Sequence, residues 1–590
     1  MRRSRMVAIT GAVALATGAL AGTTATAATH TTSTTTASSA AAARYVVLAD
    51  RAADADSLAE ALRSAGGRVT SVNRAIGMVT VESTSATFLS RARALSGVKV
   101  AGRDGVVGRS PGAARVQDSV LREHQSAGAS AGTGTAMSRS TSTTTATVAA
   151  TATKGPSDPL DSLLWGMDMI NAPAAHLKQL GDKRVRVGVM DTGVDGTHPD
   201  LAANFDRTLS RNFTTDIPDI DGPCEVASCV DPANVDDDGH GTHVAGTIAA
   251  AMNGMGVSGV APNVDIVNVR AGQDSGFFFL GPTANALTYS GDVGIDVVNM
   301  SFYVDPWLYN CRGGAPEDTP EQAAQQDLII ETLTRALGYA HDKGVTLVAA
   351  LGNEHDNISQ PRPDISSPDY PIGTEHPRTI DNAKCLDLPL EDPNVIGVSA
   401  LGPSQRKSDF SNYANDLGSG ELEVSAPGGW FRDGLGTDTY RTVGNEILST
   451  APLNVMVAEG LVDANGDITA AGQAAGVMKA CTTRPARGAT ACGYYQYLQG
   501  TSMASPHAAG VAALAVSAHG KVTKRGFGMA PDRVRAILLR TATDHACPNP
   551  PLQSYVDVGR SAEFDALCVG DAAANSFYGD GIVNAARVVR

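Results

Sequence analysis

Five short, almost wholly apolar runs alternate with stretches of helical character between residues 157 and 590. A strand that is apolar on both faces has to be buried on both, and strands separated by helices pair in parallel. The pattern therefore predicts a doubly wound, mostly parallel α/β sheet that is covered by helices on both faces. The predicted strands are 185–190, 264–269, 295–300, 345–350 and 395–400, and the main predicted helices are 240–251, 325–342, 503–518 and 532–542.

A smaller α+β domain is predicted upstream of this sheet. Its folded core is expected at about 44–108, because strand and helix patterns follow one another there in the order β-α-β-β-α-β. Residues 111–156 are rich in Ser, Thr, Ala and Gly and predict a flexible linker. The predicted strands of the small domain are 44–50, two within 68–83, and 98–102, and its helices are 56–65 and 86–95.

The first 28 residues have the three-part pattern of a secretory signal peptide. Arg2, Arg3 and Arg5 form a basic start, an apolar stretch runs over about 6–21, and small residues follow it. The apolar stretch is short for a membrane span, and a membrane anchor is the alternative interpretation. We therefore expect a secreted, extracellular protein without a membrane anchor.

All eight cysteines lie beyond the signal segment, where the compartment is oxidising. An even number there favours disulfides, and none of the cysteines shows the C-x-x-C spacing of a zinc site. Pairing of nearest neighbours is one of the roughly one hundred connectivities that eight cysteines allow. It joins Cys224 to Cys229, Cys311 to Cys385, Cys481 to Cys492, and Cys547 to Cys568.

The charge and length of the chain exclude some classes of function. The chain has 590 residues, too many for a single core, and a net charge of −15, which argues against a nucleic-acid partner. The charge is uneven, because residues 1–155 hold 17 basic and 8 acidic residues while the remainder is strongly acidic. We expect these two parts to attract one another.

Polar side chains with catalytic potential stand at the ends of predicted strands and at the starts of predicted helices. Asp191 and Asn353 each follow a strand directly, at the edge where parallel sheets bind their ligands. His240 and Ser502 stand at helix starts. A hydroxyl nucleophile needs a base, the base needs a carboxylate, and the oxyanion that forms needs donors. The set therefore indicates acyl transfer.

Each of these residues has a simpler interpretation when it is taken alone. An Asp after a strand is commonly a turn residue, and a Ser at a helix start is commonly a cap. The His-Gly-Thr-His segment lacks the Glu of a zinc H-E-x-x-H site, and we expect His243 to pack rather than to catalyse. Asp236, Asp237 and Asp238 are expected to form a solvated loop, with metal binding as the alternative.

Three long signatures occur in the order Asp, His, Ser. They are D-T-G at 191–193, H-G-T-H-V-A-G at 240–246 and G-T-S-M-A-S-P-H at 500–507. With these signatures the chain resembles the subtilisin-like serine proteases over roughly 157–590. The resemblance implies a secreted serine endopeptidase that hydrolyses polypeptide substrates through an acyl-enzyme. It implies a triad of Asp191, His240 and Ser502, with Asn353 as the oxyanion donor.

The resemblance also implies structural calcium and no organic cofactor. The segment 249–257 is similar to the calcium loop of the family, and calcium takes oxygen ligands. The implied ligands are Asp161, Asp200, Asn253 and the backbone carbonyls of Ala251, Met255 and Val257.

Family members bind a peptide as an added strand, which implies three segments for substrate binding here. Those segments are 276–279, 300–303 and 349–352, with Ser301, Tyr303 and Gly352 as the implied binding residues. Tyr303 stands where relatives usually have Gly, and segments 304–327 and 430–499 are enlarged. The usual specificity rules therefore do not transfer to this chain.

Residues 29–110 resemble the inhibitory propeptide of such enzymes, which makes the chain's own N-terminal domain an intramolecular partner. The exit segment of this propeptide starts at Asp104, and the first self-cleavage is expected near Ser110. The catalytic domain is expected to cover 157–590 and to be monomeric. The alternatives are a maturation protease or exopeptidase of narrow specificity, and an inactive subtilisin-fold binding protein; missing triad residues would signal the last, and none is missing.

Overall fold

The N-terminal unit is a four-stranded antiparallel sheet with two helices on one face. The computed structural model describes residues 42–109, 157–302, 309–364, 376–483, 490–523 and 526–590. The predicted signal peptide and linker, together with Tyr303 and Ser110, lie outside the described residues. The elements of the unit are β1 (Ala43–Ala49), α1 (Ala55–Ser64), β2 (Arg68–Asn73), β3 (Met78–Ser83), α2 (Phe88–Arg93) and β4 (Val98–Arg103), and a short strand, β5 (Val106–Arg109), follows.

The element order of this unit is the predicted β-α-β-β-α-β. Its sheet order is β2-β3-β1-β4. Side chains alternate along β1, so that Tyr45 and Val47 pack against Leu62 and Phe88 of the helices. Their neighbours in β1 point to the opposite face, where Leu48 joins the core of the larger unit.

A seven-stranded sheet whose neighbouring strands are parallel forms the centre of the larger unit, as predicted. Its order is β15-β14-β12-β10-β6-β8-β7. The chain begins in the middle at β6, passes to the edge at β7, returns to place β8 between them, and then builds the other side from β10. The carboxyl ends of β6 and β10 therefore flank the point where the winding reverses, which is the usual ligand site of such sheets. The strands are β6 (Arg186–Met190), β7 (Arg211–Asn212), β8 (Asp265–Arg270), β10 (Val297–Met300), β12 (Thr346–Ala350), β14 (Val395–Leu401) and β15 (Val424–Pro427).

Helices cover both faces of this sheet. Val348 and Ile396 pack with α6 and α11 on one face, whereas Leu347 and Val395 pack with α7 and α8 on the other. Thr319 and Gln322 form a capping box, with Pro320 at the first helical position, so α8 begins five residues before the predicted 325. The helices of this unit are α3 (Trp165–Met169), α4 (Ala172–His176), α5 (Pro218–Asp221), α6 (His240–Ala249), α7 (Leu280–Asp292), α8 (Pro320–Asp342), α9 (Leu453–Ala458), α10 (Ala470–Ala474), α11 (Thr501–His519), α12 (Pro531–Thr541) and α13 (Ala585–Val588).

The predicted insertion before the nucleophile helix contains an antiparallel sheet of its own. The order of this sheet is β16-β18-β17, and it leads directly into Gly500 and α11. Two-stranded sheets complete the fold. The remaining strands are β9 (Phe277–Phe279), β11 (Asn310–Cys311), β13 (Cys385–Leu386), β16 (Ile447–Ala451), β17 (Met478–Thr483), β18 (Thr490–Leu498), β19 (Lys521–Thr523), β20 (Gly526–Gly528), β21 (Leu552–Gln553) and β22 (Ala566–Leu567).

All four disulfides join nearest neighbours, as predicted. The Cys481–Cys492 disulfide crosses the β17–β18 hairpin. The Cys311–Cys385 disulfide joins β11 to β13 and closes the longest loop of the four, with a sequence separation of 74. Within the described ranges, no helix is long and apolar enough to cross a membrane.

Candidate active site

Asp191 and His240 meet at the carboxyl end of the central strand. Asp191 follows β6 directly, and His240 is the first residue of α6. The Nδ1 atom of His240 lies 2.8 Å from Oδ1 of Asp191, and both side chains are fully buried. The same oxygen accepts the Thr192 N–H at 2.8 Å. The carboxylate is thus held by the backbone, and its bond to the ring fixes the ring orientation.

Asp236 holds the start of α6 in place. Its Oδ1 accepts the Gly239 N–H at 2.9 Å, and its Oδ2 accepts the N–H and the hydroxyl of Thr242 at 2.9 and 2.6 Å. The prediction of a solvated loop is wrong for Asp236, whose side chain is 1% exposed. The first N–H groups of a helix need acceptors, and this carboxylate supplies them.

A glycine lets the histidine helix approach the strand closely. A Cβ atom at Gly241 would lie 2.1 Å from the backbone oxygen of Gly193 and 3.0 Å from Cβ of Asp191. Any side chain at this position would push α6 away from β6. The signature glycine is therefore needed for the contact between His240 and Asp191.

The charges around His240 favour its protonated form. Burial alone would lower the pKa of His240, but the charge and hydrogen bond of Asp191, with the charges of Asp238 and Asp236, raise it. Burial, followed by the charge of Asp236, raises the pKa of Asp238 to about 8. At neutral pH, Asp191 is therefore the main carboxylate that stabilises a proton on His240.

The Nε2 atom of His240 is buried and has no hydrogen-bond partner in the described part of the chain. Ser502, the second residue of α11, turns its hydroxyl away and donates to the backbone oxygen of Ser301 at 3.2 Å. Rotation about one side-chain bond changes the partner of this hydroxyl, and catalytic hydrogen bonds are commonly loose without substrate. The structure thus brings Ser301 and Ser502 together and leaves Nε2 available.

Asn353 is oriented by the residue before Ser502. Its Oδ1 accepts the N–H of Thr501 at 2.9 Å and the Thr501 hydroxyl at 3.0 Å. With the oxygen held in this way, the amide NH₂ of Asn353 has no acceptor among the described residues. The N–H of Ser502, in the first turn of α11, also lacks an acceptor within its helix. Two donors are therefore available for an oxyanion.

The remaining predicted site residues have distinct surroundings. Ser301 is buried, and its hydroxyl donates to the backbone oxygen of Ser502 at 3.0 Å. Gly352 has a φ of +104°, and a Cβ there would lie 2.3 Å from the side-chain nitrogen of Asn412. His243 is buried against the backbone oxygens of Ile447 and Gln496, as expected of a packing residue.

A segment of the N-terminal unit lies along one of the predicted substrate strands. Strand β5 pairs antiparallel with β9, with Val106 opposite Phe279 and Arg109 opposite Phe277. Phe278 in turn stacks on Phe302, with ring centroids 4.1 Å apart. The chain that leaves the small domain therefore occupies the edge on which an extended peptide would add.

The small domain contacts the N-terminal ends of α7 and α8. Asp104 accepts the Gly281 N–H at the start of α7 at 2.7 Å. Gln325 of α8 exchanges two hydrogen bonds with the backbone of Arg103, each 3.0 Å long. Arg93 and Glu321 form an exposed ion pair at 2.8 Å. These polar contacts flank the apolar side chains of β1 and β3 that join the core of the larger unit.

The predicted calcium ligands do not fit an ion as they stand. Both oxygens of Asp200 already accept hydrogen bonds, one from Asn253 Nδ2 at 3.1 Å and the other from Val257 N–H at 3.1 Å and the Tyr495 hydroxyl at 2.7 Å. Asp161 is engaged by the N–H and hydroxyl of Ser258. Donors thus point at the carboxylates where calcium requires only oxygens. Ala251 and Met255 are buried in the same loop.

A second group of acidic side chains comes from the segment that joins β6 to α6 and from the loop after β8. One carboxylate oxygen from each of four residues lies within 4.8 Å of the others; they are Asp216, Glu225, Asp231 and Asp274. Asp216 is 4% exposed, and neither of its oxygens has a hydrogen-bond partner within the described residues. Burial, followed by the charge of Asp231, raises the pKa of Asp216 to about 6. Arg270 contacts both Asp231 and Asp274, so one cation faces four carboxylates.

Three residues with clear roles at the site were missed in the sequence. Asp236 caps the histidine helix, and Thr501 orients Asn353. Asp387 lines the pocket beside Ser502. An Asp three residues before the N-cap Gly239 was a usable signal for Asp236. No comparable signal exists for Asp387, which lies in an irregular segment far from the motifs.

The fold and these side chains together define a subtilisin-like protein. The family model described as the Subtilase family matches residues 182–581, and the chain belongs to that family. Members of this class are serine proteases, and subtilases commonly bind calcium.

Several characterised proteins are similar to the chain. Subtilisin Savinase of Lederbergia lenta is 29% identical over 289 residues, which cover 49% of this chain and 80% of the relative. An alkaline protease of Alkalihalobacillus alcalophilus is also 29% identical, but the chain spans only 57% of its length. The crystal structure of an epidermin leader peptide processing serine protease of Staphylococcus aureus aligns with a TM-score of 0.57 at 19% identity, covering 93% of this chain and 98% of that one. This last likeness shows the fold alone.

Proposed function

We propose that the protein is a serine endopeptidase that hydrolyses peptide bonds of polypeptides through an acyl-enzyme. The observation that carries the proposal is the buried 2.8 Å contact between Asp191 and His240, with Ser502 at the start of a helix that shares one hydrophobic core with the histidine helix. A carboxylate, an imidazole and a hydroxyl in this arrangement have few uses other than nucleophilic catalysis.

In this mechanism Ser502 attacks the scissile carbonyl while Nε2 of His240 takes its proton. Asp191 holds the ring in the tautomer that carries a proton on Nδ1, and its charge stabilises the imidazolium that forms. The oxyanion is stabilised by Nδ2 of Asn353 and the N–H of Ser502. The same proton then passes from His240 to the leaving amine, and water completes the cycle by attacking the ester.

Replacement of the nucleophile tests this proposal. Ser502→Ala protein should fold normally and lose hydrolysis by on the order of 10⁴-fold or more, and it should no longer react with a fluorophosphonate probe. Ser517→Ala is a matched control, because Ser517 is also a serine of α11 with its hydroxyl bonded to a backbone oxygen. Near-normal hydrolysis by purified Ser502→Ala protein would end the assignment. An unlabelled wild-type protein would instead favour an inactive binding protein.

We propose that residues 29–110 act as an inhibitory propeptide and that 157–590 form the catalytic domain. The support is the contact of Asp104 with α7 and the pairing of β5 with β9, which covers a substrate strand. Residues 1–28 would direct secretion, and the linker 111–156 would be trimmed after a first cleavage near Ser110.

An isolated 29–110 fragment should inhibit the mature enzyme when it is added in trans. The inhibition should weaken at high salt, because the N-terminal segment is net positive and the catalytic part net negative. Ser502→Ala protein should accumulate with the fragment still attached. N-terminal sequencing and a titration measure both effects. A mature N-terminus within 44–100, or no inhibition at micromolar fragment, would show that this segment has another role.

We propose that structural calcium binds at Asp216, Glu225, Asp231 and Asp274, and not at the ligand set that the resemblance implied. Both oxygens of Asp216 offer free lone pairs, whereas those of Asp200 face protein donors. Calcium would compete with Arg270 for Asp231 and Asp274 at this site. A dication would also relieve the repulsion among these carboxylates. Bound there, calcium supplies only structural charge, because the ion is not needed by the triad.

Two variants separate the calcium sites. Calcium should raise the melting temperature of inhibitor-blocked wild-type protein and of Asp200→Asn, and should have no such effect on Asp216→Asn. Differential scanning calorimetry with calcium or a chelator measures this. A calcium response that survives in Asp216→Asn but is lost in Asp200→Asn would restore the site implied by the resemblance.

A further inference from the structure

A narrow pocket opens beside the nucleophile, and it contains a carboxylate. Its lining includes Ser502 and Asn353, which place it at the scissile bond, together with the apolar side chains of Phe302 and Leu390. Asp387 is the only charged side chain among the described residues that line it. If Ser502 attacks the scissile carbonyl, this pocket is close enough to that bond to receive a neighbouring side chain of the substrate.

The carboxylate of Asp387 has no partner among the residues that the structure describes. Its carboxylate accepts no hydrogen bond and contacts no cation within the described ranges, although its backbone N–H contacts the Glu391 carboxylate. The side chain is partly accessible. A carboxylate that is removed from bulk water and left unpaired is costly, unless a ligand supplies the partner.

The surroundings add negative charge to the pocket. Burial first, and then the charges of Glu354, Asp364, Glu421 and Asp356, raise the pKa of Asp387 well above its ordinary value. Glu354, Asp356 and Asp364 lie on the segment after β12, and Glu421 lies just before β15.

Only some of these neighbouring carboxylates are neutralised. Asp364 pairs with Arg378 at 2.5 Å, and Asp356 contacts Arg362. Glu354 accepts a hydrogen bond from the Asn412 side chain at 2.9 Å, and backbone N–H groups also contact it, but it forms no ion pair within the described residues. The empty pocket therefore favours protonated carboxyl groups, and a cation bound there would favour their ionised form.

An apolar substrate side chain is the alternative occupant, because Phe302, Ala350 and Leu390 are apolar. Such an occupant would exclude water from Asp387 without replacing the lost hydrogen bonds, which is unfavourable. A lysine or arginine side chain satisfies both features. Its aliphatic stem packs on the apolar walls while its charged end meets the carboxylate.

We propose that this pocket selects a lysine or arginine on the carbonyl side of the scissile bond, with Asp387 as the acceptor of its charge. The proposal rests on the proposed endopeptidase function and adds the class of peptide that the enzyme cleaves. Glu354 strengthens the negative potential of the pocket without lining it.

Cleavage of matched peptides by the mature enzyme tests the proposal. Chromogenic tetrapeptide substrates that differ only in the last residue, Arg, Lys, Phe or Leu, give kcat/KM for each side chain. Wild-type enzyme should favour Arg or Lys over Phe by at least about tenfold, the range of a charge-assisted hydrogen bond. Asp387→Asn should lose roughly 10- to 100-fold on the basic substrates and change little on Phe.

Two further variants serve as a charge control and as a second test of the pocket. Asp438→Asn removes the same charge from an exposed surface position and should leave all four values unchanged. If Asp387→Asn fails to fold, Glu354→Gln should still reduce the preference for basic residues by a few-fold through the weaker potential.

The possible results distinguish a failure of the proposed pocket specificity from a failure of the proposed endopeptidase activity. A wild-type preference for Phe or Leu, or equal losses on Phe and Arg in Asp387→Asn, would overturn the assignment of the pocket and leave the endopeptidase intact. No cleavage of any peptide, together with no labelling of Ser502 by a fluorophosphonate, would overturn the endopeptidase itself.

Discussion

At the scale of single residues, Thr501 connects Asn353, the proposed oxyanion donor, to Ser502, the proposed nucleophile. Its backbone and side chain both donate to Oδ1 of Asn353, and its hydroxyl also accepts the Gly352 N–H at 3.2 Å. One residue thus fixes which atom of the Asn353 amide faces the reaction. The catalytic motif carries this positioning function in the residue before the serine.

Asn353→Ala should lower kcat by about 10²- to 10³-fold with little change in KM, because one oxyanion donor is lost. Thr501→Val should lower kcat roughly 3- to 30-fold, since the backbone bond to Asn353 remains. Thr501→Ser should recover most of that loss, because it restores the hydroxyl. Steady-state kinetics on one peptide substrate measures all three. A Thr501→Ser enzyme as slow as Thr501→Val would contradict a positioning role.

The pH profile of kcat/KM reports the charge around His240. The base must be neutral to accept a proton, and the Asp191 carboxylate raises the pKa of His240. Activity should therefore decline with falling pH already above about 6.5, the ordinary imidazole value. Measurement of kcat/KM between about pH 5 and pH 9 gives the pH at which this acidic limb of the profile begins. A limb clearly below the ordinary value would show that burial outweighs the carboxylates.

At the scale of secondary-structure elements, the start of α7 is the contact that orients the small domain. The Asp104 carboxylate accepts the Gly281 N–H and faces the positive end of this helix. Burial raises the pKa of Asp104, and the Gly281 N–H and the charge of Arg44 partly offset that rise. Docking therefore shifts Asp104 toward its protonated form, and the Gly281 N–H and the charge of Arg44 limit that shift.

Asp104→Asn in the isolated 29–110 fragment should weaken inhibition of the mature enzyme by roughly tenfold, the range of one charge-assisted hydrogen bond. Asp56→Asn is a control with the same loss of charge, because Asp56 is exposed on α1 and pairs with Arg74 within the fragment. Inhibition constants are measured for the unaltered fragment and for the two variants. Equal constants for Asp104→Asn and the unaltered fragment would remove this contact from the docking surface.

Elements with strong local patterns were predictable, and elements defined by distant partners were not. The run 345–350 predicted β12 (Thr346–Ala350) because apolar side chains on both faces identify a buried strand. Strand β7 (Arg211–Asn212) has two residues at the sheet edge and no pattern to detect. The triad motifs identified Asp191 and His240, whereas Asp387 became visible only when folding brought its loop beside Ser502.

At the scale of the whole molecule, one buried lysine links stability to pH. Lys407 is 0% exposed, and its ammonium donates to the backbone oxygens of Ser408 and Ser411 at 3.0 and 2.6 Å. Burial lowers its pKa to about 7, against an ordinary value near 10.5. Between these two values the unfolded chain holds a proton that the folded chain has released. Stability should therefore rise with pH across this range.

Lys407→Met removes this contribution while it retains most of the apolar stem. Relative to the variant, inhibitor-blocked wild-type protein should gain a few kcal/mol of unfolding free energy between about pH 7 and pH 10. Urea unfolding at the two pH values measures the difference, and the inhibitor prevents self-digestion. Parallel pH dependences in the two proteins would show that Lys407 keeps an ordinary pKa when folded.

The Cys311–Cys385 disulfide has a consequence for how the enzyme responds to its medium. Cys385 is two residues from Asp387, and the bond ties that segment to the loop before α8. The triad and Asn353 lie on other elements, so their geometry does not depend on this bond. A reducing medium would therefore reduce the specificity for the cleavage site before it reduced the rate of cleavage. A protease that leaves an oxidising compartment would become less discriminating while it was still active.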